Sequence, residues 1–584
     1  MSGAVEGKAV ERILFFTPFV SWWPHTFWEA TLAFAAQLRG AEALFVNCGG
    51  LPDCDLVPRR TGRPSDVCAR CRSVSVRVME GLALAHAFAS DRVEAGEREA
   101  IRAWARELPP AELRAATWNG MPLGEWVFAG TVGYCRRRDL DTRDPEVRRV
   151  YLDNLVSAAI AVTGVERIAN EFLPTTAVLL NGSFSLHRPV LEALRARGVR
   201  VVTHERAMVD NAVTFHEGGP VWERARLDSF WSAWRAVPLA AQELRDAEAI
   251  LAARRKGKNT GWFGFNPWPE DRAAAMAALG LPGDRPMALL CTSCDHEPSL
   301  VDLAPTVSQD AWMASAIEWF AARPEYVLVI RFHPSAAGDP AYATEVRPRL
   351  EAFRAGLPPN GFCVLPHEPV NTYALVDCAT AGLVYASTIG LEMACAGLPV
   401  AHAGGGMYRG AGFTLEPDDP ARPGAELELA MAMPRSREAS RLAYRYLYRF
   451  FRTASVPIRQ VRVPSESYTL AGFTFTSSDE LLPGRDADLD RAAAFVLGRG
   501  PASPPPTAEE RARTTADEDR FFAEMRVAAL LDAVRARPGD PDRLREAAAG
   551  LDDLGLTEDA RRLYAAALAA DPTHAGALTG LRAA

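Results

Sequence analysis

The chain has 584 residues, 48% of them hydrophobic and 24% charged, a soluble globular balance at a length that suggests roughly three or four domains. Its 65 Lys and Arg against 73 Asp and Glu leave a net charge of −8, which argues against a general nucleic-acid binder while leaving room for one local basic pocket. No apolar run reaches the roughly 18–20 residues of a membrane span, and the greasy N-terminal stretch is interrupted by Pro18, Pro24, His25 and Glu29.

Taken in chain order, residues 12–17 read as a buried strand, followed by a loop with Trp22, Trp23 and Pro24 and a helix through 26–38. A second strand, EALFVN, comes after Gly40, so a βα unit is repeating. Helical stretches follow around 93–108 and 146–170. Then come a strand at 175–182, a helix at 188–198 and a strand at 199–206.

The second half alternates more cleanly. Strands at 287–293, 326–332, 361–366 and 382–386 are each followed by a helix, and PVAHAG closes the series. Near-continuous apolar strands between helices imply a sheet covered on both faces. The fold expected is α/β, with two tandem doubly wound Rossmann-like domains, a cleft between them and a small all-α segment at the C-terminus. The boundaries are 1–255 for the first domain, with a Cys-rich insertion at 48–71, and 256–497 for the second. A Pro-rich linker spans 498–517 and a helical tail 518–584. In the tail, Leu530 and Tyr564, Ala533 and Ala567, Pro538 and Pro572, and Leu544 and Leu578 are each 34 apart, the tetratricopeptide period.

Ligands in open α/β sheets bind at the carboxyl ends of strands. Arg331-Phe332-His333-Pro334 stands at such an end, because Pro334 stops the ladder. Arg331 suits a phosphate by its fork and His333 by its donor. Further on, Ser387 reads as an N-cap with Thr388 beginning a helix, Gly390 allowing close approach and Glu392 one turn in. The ordinary reading of both stretches is a capped, buried helix and a structural histidine.

In that order, strand–Arg-x-His-Pro and then Ser-Thr-x-Gly-x-Glu opening a helix that ends in Gly-x-Pro-Val, the sequence resembles bacterial capsule and surface-polysaccharide glycosyltransferases related to Kdo- and polysialic-acid-transferring enzymes of two-Rossmann (GT-B) form. Asn181-Gly182 and His204-Glu205-Arg206 are similar to the acceptor-side domain of that group, and the resemblance covers roughly 10–415. It implies a nucleotide-sugar donor at the His-Pro and Ser-Thr loops, with Glu392 on sugar or ribose hydroxyls, and a glycan or glycoconjugate acceptor. Proton acceptors for such chemistry are Glu29, with His25 one turn before it, and Glu205. Rival readings are a glycerol-phosphate transferase of the teichoic-acid type, a non-catalytic scaffold and a sugar-nucleotide epimerase.

Cys48, Cys54, Cys68 and Cys71 are spaced C-x5-C-x13-C-x2-C across a polar, Pro-rich loop, which fits structural zinc. Free thiols, a disulfide and an iron–sulfur cluster remain open, while Cys291 and Cys294 read as core thiols. The Asp-x-Asp triplets at 53–55, 139–141 and 488–490 follow no convincing strand, so catalysis is expected to be metal-independent, without a redox cofactor. The glycine-rich stretch 403–412 reads as a flexible loop or turn. A reducing cytoplasm is expected, with peripheral contact to the inner membrane face as an option and a protein partner for the tail.

Overall fold

The structure is a computed structural model and describes residues 10–20, 22–51, 64–136, 138–257, 268–294, 296–297, 301, 303, 307–338, 341–464 and 470–584. The chain divides into two units, one formed by 1–232 with 250–505 and the other by 233–249 with 506–584.

Among its described residues the first unit holds two large sheets and a two-stranded antiparallel ribbon of Val461–Arg462 with Gly472–Phe473. Strands β1 (Arg12–Phe16), β2 (Glu42–Asn47), β3 (His86–Phe88), β4 (Thr176–Leu180), β5 (Arg200–Arg206) and β6 (Ala212–Glu217) belong to the first. Its order is β12-β6-β5-β4-β1-β2-β3, with β12 (Ser455–Pro457) supplied from far along the chain. The pairs from β5 through β3 run parallel, and β6 and β12 add an antiparallel edge. Pro457 at this edge leaves no central ladder bond unmade. The second sheet is wholly parallel, in the order β11-β10-β7-β8-β9. Its strands are β7 (Met287–Cys291), β8 (Val327–Arg331), β9 (Gly361–Val364), β10 (Ala381–Val384) and β11 (Val400–His402). Burial runs unbroken along β4, β7, β8 and β10, because helices cover both faces.

Two features depart from the linear partition. Residues 455–497 return to the first sheet: β12 pairs with β6, and Leu489 and Ala493 of the helix Ala487–Val496 pack on Ala35. The first helix begins earlier than the expected residue 26, at Trp23, because Pro24 fits the first turn where no N–H is needed. The longest helix, Pro145–Phe172, carries Asp144 as its N-cap, accepting from the Glu146 N–H, and buries one broad face against the first sheet.

In the second unit the helices Ala516–Ala536, Pro541–Asp553, Thr557–Ala570 and Ala575–Ala583 share a core of Val527, Leu544, Ala548, Ala560, Tyr564 and Ala567. Small residues recur there because the helices approach closely; a Cβ on Gly580 would lie 2.3 Å from the Tyr564 ring. Glu518, fully buried, accepts the Leu239 N–H at 2.8 Å, and Asp517 accepts that of Ala241 at 2.9 Å. These carboxylates satisfy orphan donors at the start of the helix Ala241–Arg255. Among the described residues no helix is long and apolar enough to cross a membrane.

Candidate functional site

At the carboxyl end of the second sheet, three adjacent strand ends are tied together. The Thr292 hydroxyl, just after β7, accepts the His333 N–H at 2.9 Å, and the Ser293 hydroxyl accepts that of Ala386 at 3.0 Å. Gln309 in turn accepts the Ser293 N–H. The loop after β7 thus holds the His-Pro turn on one side and the Ser-Thr turn on the other.

His333 is half-buried. Burial, then the charge of Arg331 and the neighbouring His296, pushes its pKa down to about 4, so the ring is neutral near pH 7. The Ser335 backbone N–H donates to Nδ1 at 3.3 Å, and the Ser335 hydroxyl lies 2.6 Å from the same atom. An atom that accepts from a backbone N–H carries no proton itself, so the proton resides on Nε2, a donor fixed in direction. The Cys294 sulfur is 3.6 Å from Nδ1 and 3.2 Å from the Ser335 hydroxyl. Cys294 is therefore not a core thiol; Cys291 is. Pro334 opens the short turn Pro334–Gly338 and is half-buried.

Arg331 does not line this surface. It is 1% exposed, donates to the Leu365 carbonyl at 2.8 Å and approaches the Thr372 hydroxyl at 3.4 Å. Burial pushes its pKa down to about 10, and Nη2 has no hydrogen-bond partner among the described residues. Successive strand residues face opposite ways, but Arg331 is still inside the ladder, paired with Cys291 and Val364, and this explains its depth.

The Ser-Thr turn also differs from the sequence reading. Thr388, not Ser387, is the N-cap of Ile389–Cys395, and its side chain caps no backbone N–H. Ser387 and Thr388 are half-buried. Gly390 is required by Tyr408: a Cβ there would lie 2.3 Å from the Tyr408 hydroxyl and 2.6 Å from Val384. That hydroxyl donates to the Ser387 carbonyl at 2.6 Å. Glu392 is buried and already engaged, by Arg254 at 2.8 Å and by the Tyr373 hydroxyl. What it does is hold Arg254, whose Nη2 lies 3.3 Å from the Thr388 hydroxyl. In the sequence Arg254 lies beside the boundary expected after residue 255, with no motif around it to mark the role.

The stretch 403–412 is anchored rather than loose. Arg224 donates to the carbonyls of Gly406, Met407 and Arg409, Tyr446 to that of Met407, and Trp231 to that of Ala411.

On the first sheet, Glu29, Asn181 and Glu205 come together with His25 and His204. The Thr17 hydroxyl donates to Glu29, and His204 Nε2 lies 2.8 Å from its other oxygen. Asn181 donates to Glu205 at 2.9 Å and the Arg206 N–H at 2.8 Å, with His25 Nε2 at 3.7 Å. All are 5% exposed or less. Burial raises the Glu205 pKa. Burial, then His204, Arg206 and His187, holds His25 well below the usual imidazole range. Nδ1 of His25 has no hydrogen-bond partner among the described residues, and Trp22 packs edge-on over the ring at 4.6 Å. A His25 ring kept uncharged by burial beside the Glu205 carboxylate is the kind of group that can accept a proton. Glu29 accepts from Thr17 on one oxygen and faces His204 with the other.

Cys48 follows β2, and Cys68 and Cys71 lie one turn apart on the helix Pro64–Gly81. Burial pushes the Cys48 thiol up to about 12. Among the described residues no group of three or more His, Cys, Asp or Glu side chains is arranged to hold a metal ion, and Cys54 lies outside them.

No family model matches the chain, and no curated protein matches it. Solved structures do. The beta Kdo 2,4 transferase KpsC of Thermosulfurimonas dismutans is 14% identical, over 53% of this chain and 87% of its own, with a TM-score of 0.33. The glycosyltransferase SnogD of Streptomyces nogalater is 13% identical over 76% of this chain and 96% of its own, at 0.24. The UDP-GlcNAc 2-epimerase of Neisseria meningitidis is 10% identical over 75% and 96%, at 0.23. Likeness at this level carries no argument about activity or substrate.

Proposed function

We propose that this chain is a glycosyltransferase that moves a sugar from a nucleotide-sugar donor to a glycan or glycoconjugate acceptor, with catalysis independent of a metal. The observation that supports it most is the joined trio of strand ends. Thr292 and Ser293 bring a neutral His333, donating through Nε2, beside the turn that carries Ser387 and Thr388, with the Arg254 cation behind Thr388. A directed donor and a nearby cation favour the negative charge that grows on a departing nucleotide phosphate. His25, with the Glu205 carboxylate 3.7 Å away, receives the acceptor hydroxyl proton, and Asn181 orients Glu205.

A thermal-shift screen of the full chain against UDP, CMP and CDP, followed by hydrolysis of the matching sugar nucleotides and of CDP-glycerol, tests the reading. A nucleotide that raises the melting temperature and a sugar nucleotide that is turned over support it. Turnover of CDP-glycerol alone replaces it with glycerol-phosphate transfer, and no binding to any nucleotide replaces it with a scaffold. For the insertion we propose structural zinc on Cys48, Cys54, Cys68 and Cys71. The three described thiols do not suffice, so the site requires Cys54. Metal analysis should find zinc in the unaltered chain and its loss in Cys54→Ser; metal-free protein overturns this.

A further inference from the structure

Three successive residues of the loop after β7 each tie down a different group. Thr292 accepts the His333 N–H at 2.9 Å and Ser293 accepts that of Ala386 at 3.0 Å, so both fix backbone. Cys294 turns to side chains instead. Its sulfur lies 3.2 Å from the Ser335 hydroxyl and 3.6 Å from His333 Nδ1, and the Ser335 hydroxyl lies 2.6 Å from the same nitrogen. Thiol, hydroxyl and imidazole, all half-buried, form one contiguous chain at the carboxyl end of the second sheet.

The direction of every proton in this chain follows from one backbone bond. The Ser335 N–H donates to Nδ1 at 3.3 Å, so Nδ1 is an acceptor. The hydroxyl at 2.6 Å from that acceptor is then a donor, and the Ser335 O–H points at Nδ1. Its oxygen faces Cys294 with lone pairs, and the thiol donates to it. The order is S–H to O–H to Nδ1, and it ends on Nε2–H. Each donation in such a chain polarises the next, and electron density drawn from Nδ1 strengthens Nε2–H as a donor. The 3.2 Å spacing is that of a sulfur, since O–H···O bonds run about 2.5–3.0 Å.

We propose that Cys294 is a positioning residue for the donor phosphate: its thiol fixes the Ser335 hydroxyl, which holds the His333 ring and sharpens Nε2–H as the donor to the leaving group. The proposal rests on the transferase reading for what Nε2–H meets, and not for the chain itself.

Cys294→Ala should lower kcat for sugar-nucleotide turnover by about three- to tenfold, the size expected of one neutral hydrogen bond, with the donor KM changed by less than about twofold. Cys294→Ser, which keeps a donor on a shorter reach, should recover part of that loss. The cycle with Ser335→Ala separates positioning from packing. Once the hydroxyl is gone, Cys294→Ala should cost nothing further, whereas a cysteine that merely fills space lowers turnover equally in both backgrounds. Melting temperatures confirm that each variant is folded. A second measurement needs no nucleotide. In the full chain with isotope-labelled histidine, and with His333→Gln to assign the signals, Nδ1 of His333 should resonate as an unprotonated, hydrogen-bonded nitrogen. It should shift toward a free acceptor in Cys294→Ala, and further in Ser335→Ala. Undiminished turnover in Cys294→Ala, losses that multiply in the cycle, or an Nδ1 signal unmoved by Cys294→Ala overturns the proposal. A chain that binds no nucleotide sinks the transferase reading and the phosphate role with it; a chain that binds nucleotide but shows multiplying losses sinks this proposal alone.

Discussion

His333 is kept neutral by burial and has its proton assigned to Nε2 by a backbone donor on Nδ1, so its contribution is one directed hydrogen bond. Loss of one such preorganised donor costs about 10²–10³ in turnover. His333→Ala should therefore lose that much sugar-nucleotide turnover at an unchanged melting temperature; near-normal turnover would make His333 structural. Ser335→Ala, which removes the hydroxyl but keeps the backbone donor, should cost much less. The buried histidines of the first sheet make a separate prediction about acid. His187, pushed from 6.5 down to about 3 by burial and then His204, stays neutral in the fold while the unfolded chain protonates. Its stability contribution is complete above pH 6.5 and is lost as pH falls toward 3, by up to about 1.4 kcal/mol per pH unit. His25 acts in the same direction, and Glu205, raised by burial, takes up a proton in the fold and offsets part of the loss. Urea midpoints should fall between pH 6.5 and 4, and His187→Leu should flatten that slope. An unchanged slope would place the acid sensitivity elsewhere.

Between elements, the tightest requirement near the site is at Gly390. A methyl there meets Tyr408 and Val384 well inside contact distance, and both are fully buried. Overpacking of this kind typically costs about 1–3 kcal/mol. Gly390→Ala should lower the melting temperature and shift the Ser-Thr turn, weakening nucleotide binding. Tyr408→Phe removes the nearest obstructing atom, so the double variant should recover part of the loss; purely additive losses would locate the strain elsewhere. The same element separates what is local about Glu392 from what is not. Its spacing from Ser387 puts it one turn into a helix, which is a sequence fact. That its carboxylate is taken by Arg254 and Tyr373 depends on residues 138 and 19 positions away.

For the whole molecule, the helical tail is part of a unit that includes residues 233–249, and Glu518 is its most deeply placed charge. Glu518→Ala leaves the buried Leu239 N–H without its acceptor, at a cost of about 1–3 kcal/mol. The variant should destabilise the second unit in thermal unfolding while retaining a nucleotide-dependent rise in the melting of the first. Loss of that nucleotide response would show that the two units unfold together.

Periodicity alone specified much of this chain. The continuous apolar runs of β4, β7, β8 and β10 and Pro334 after β8 are local patterns, because burial on both faces and a missing N–H each leave a mark within a few residues. Asn181 and Glu205 stand at ends of strands visible locally, but that Glu29, from the middle of the first helix, joins them is a tertiary fact. What tertiary structure alone decided was which charge meets which. Arg331 went to the interior, Arg254 to Glu392 and Arg138 to the Tyr385 hydroxyl, and residues 455–457 returned to an edge of the first sheet. The reason is physical: a guanidinium reaches over several ångströms and satisfies itself with whatever acceptor folding brings near, and an edge strand accepts any chain that arrives in register. Neither choice is written in the spacing of neighbours along the sequence.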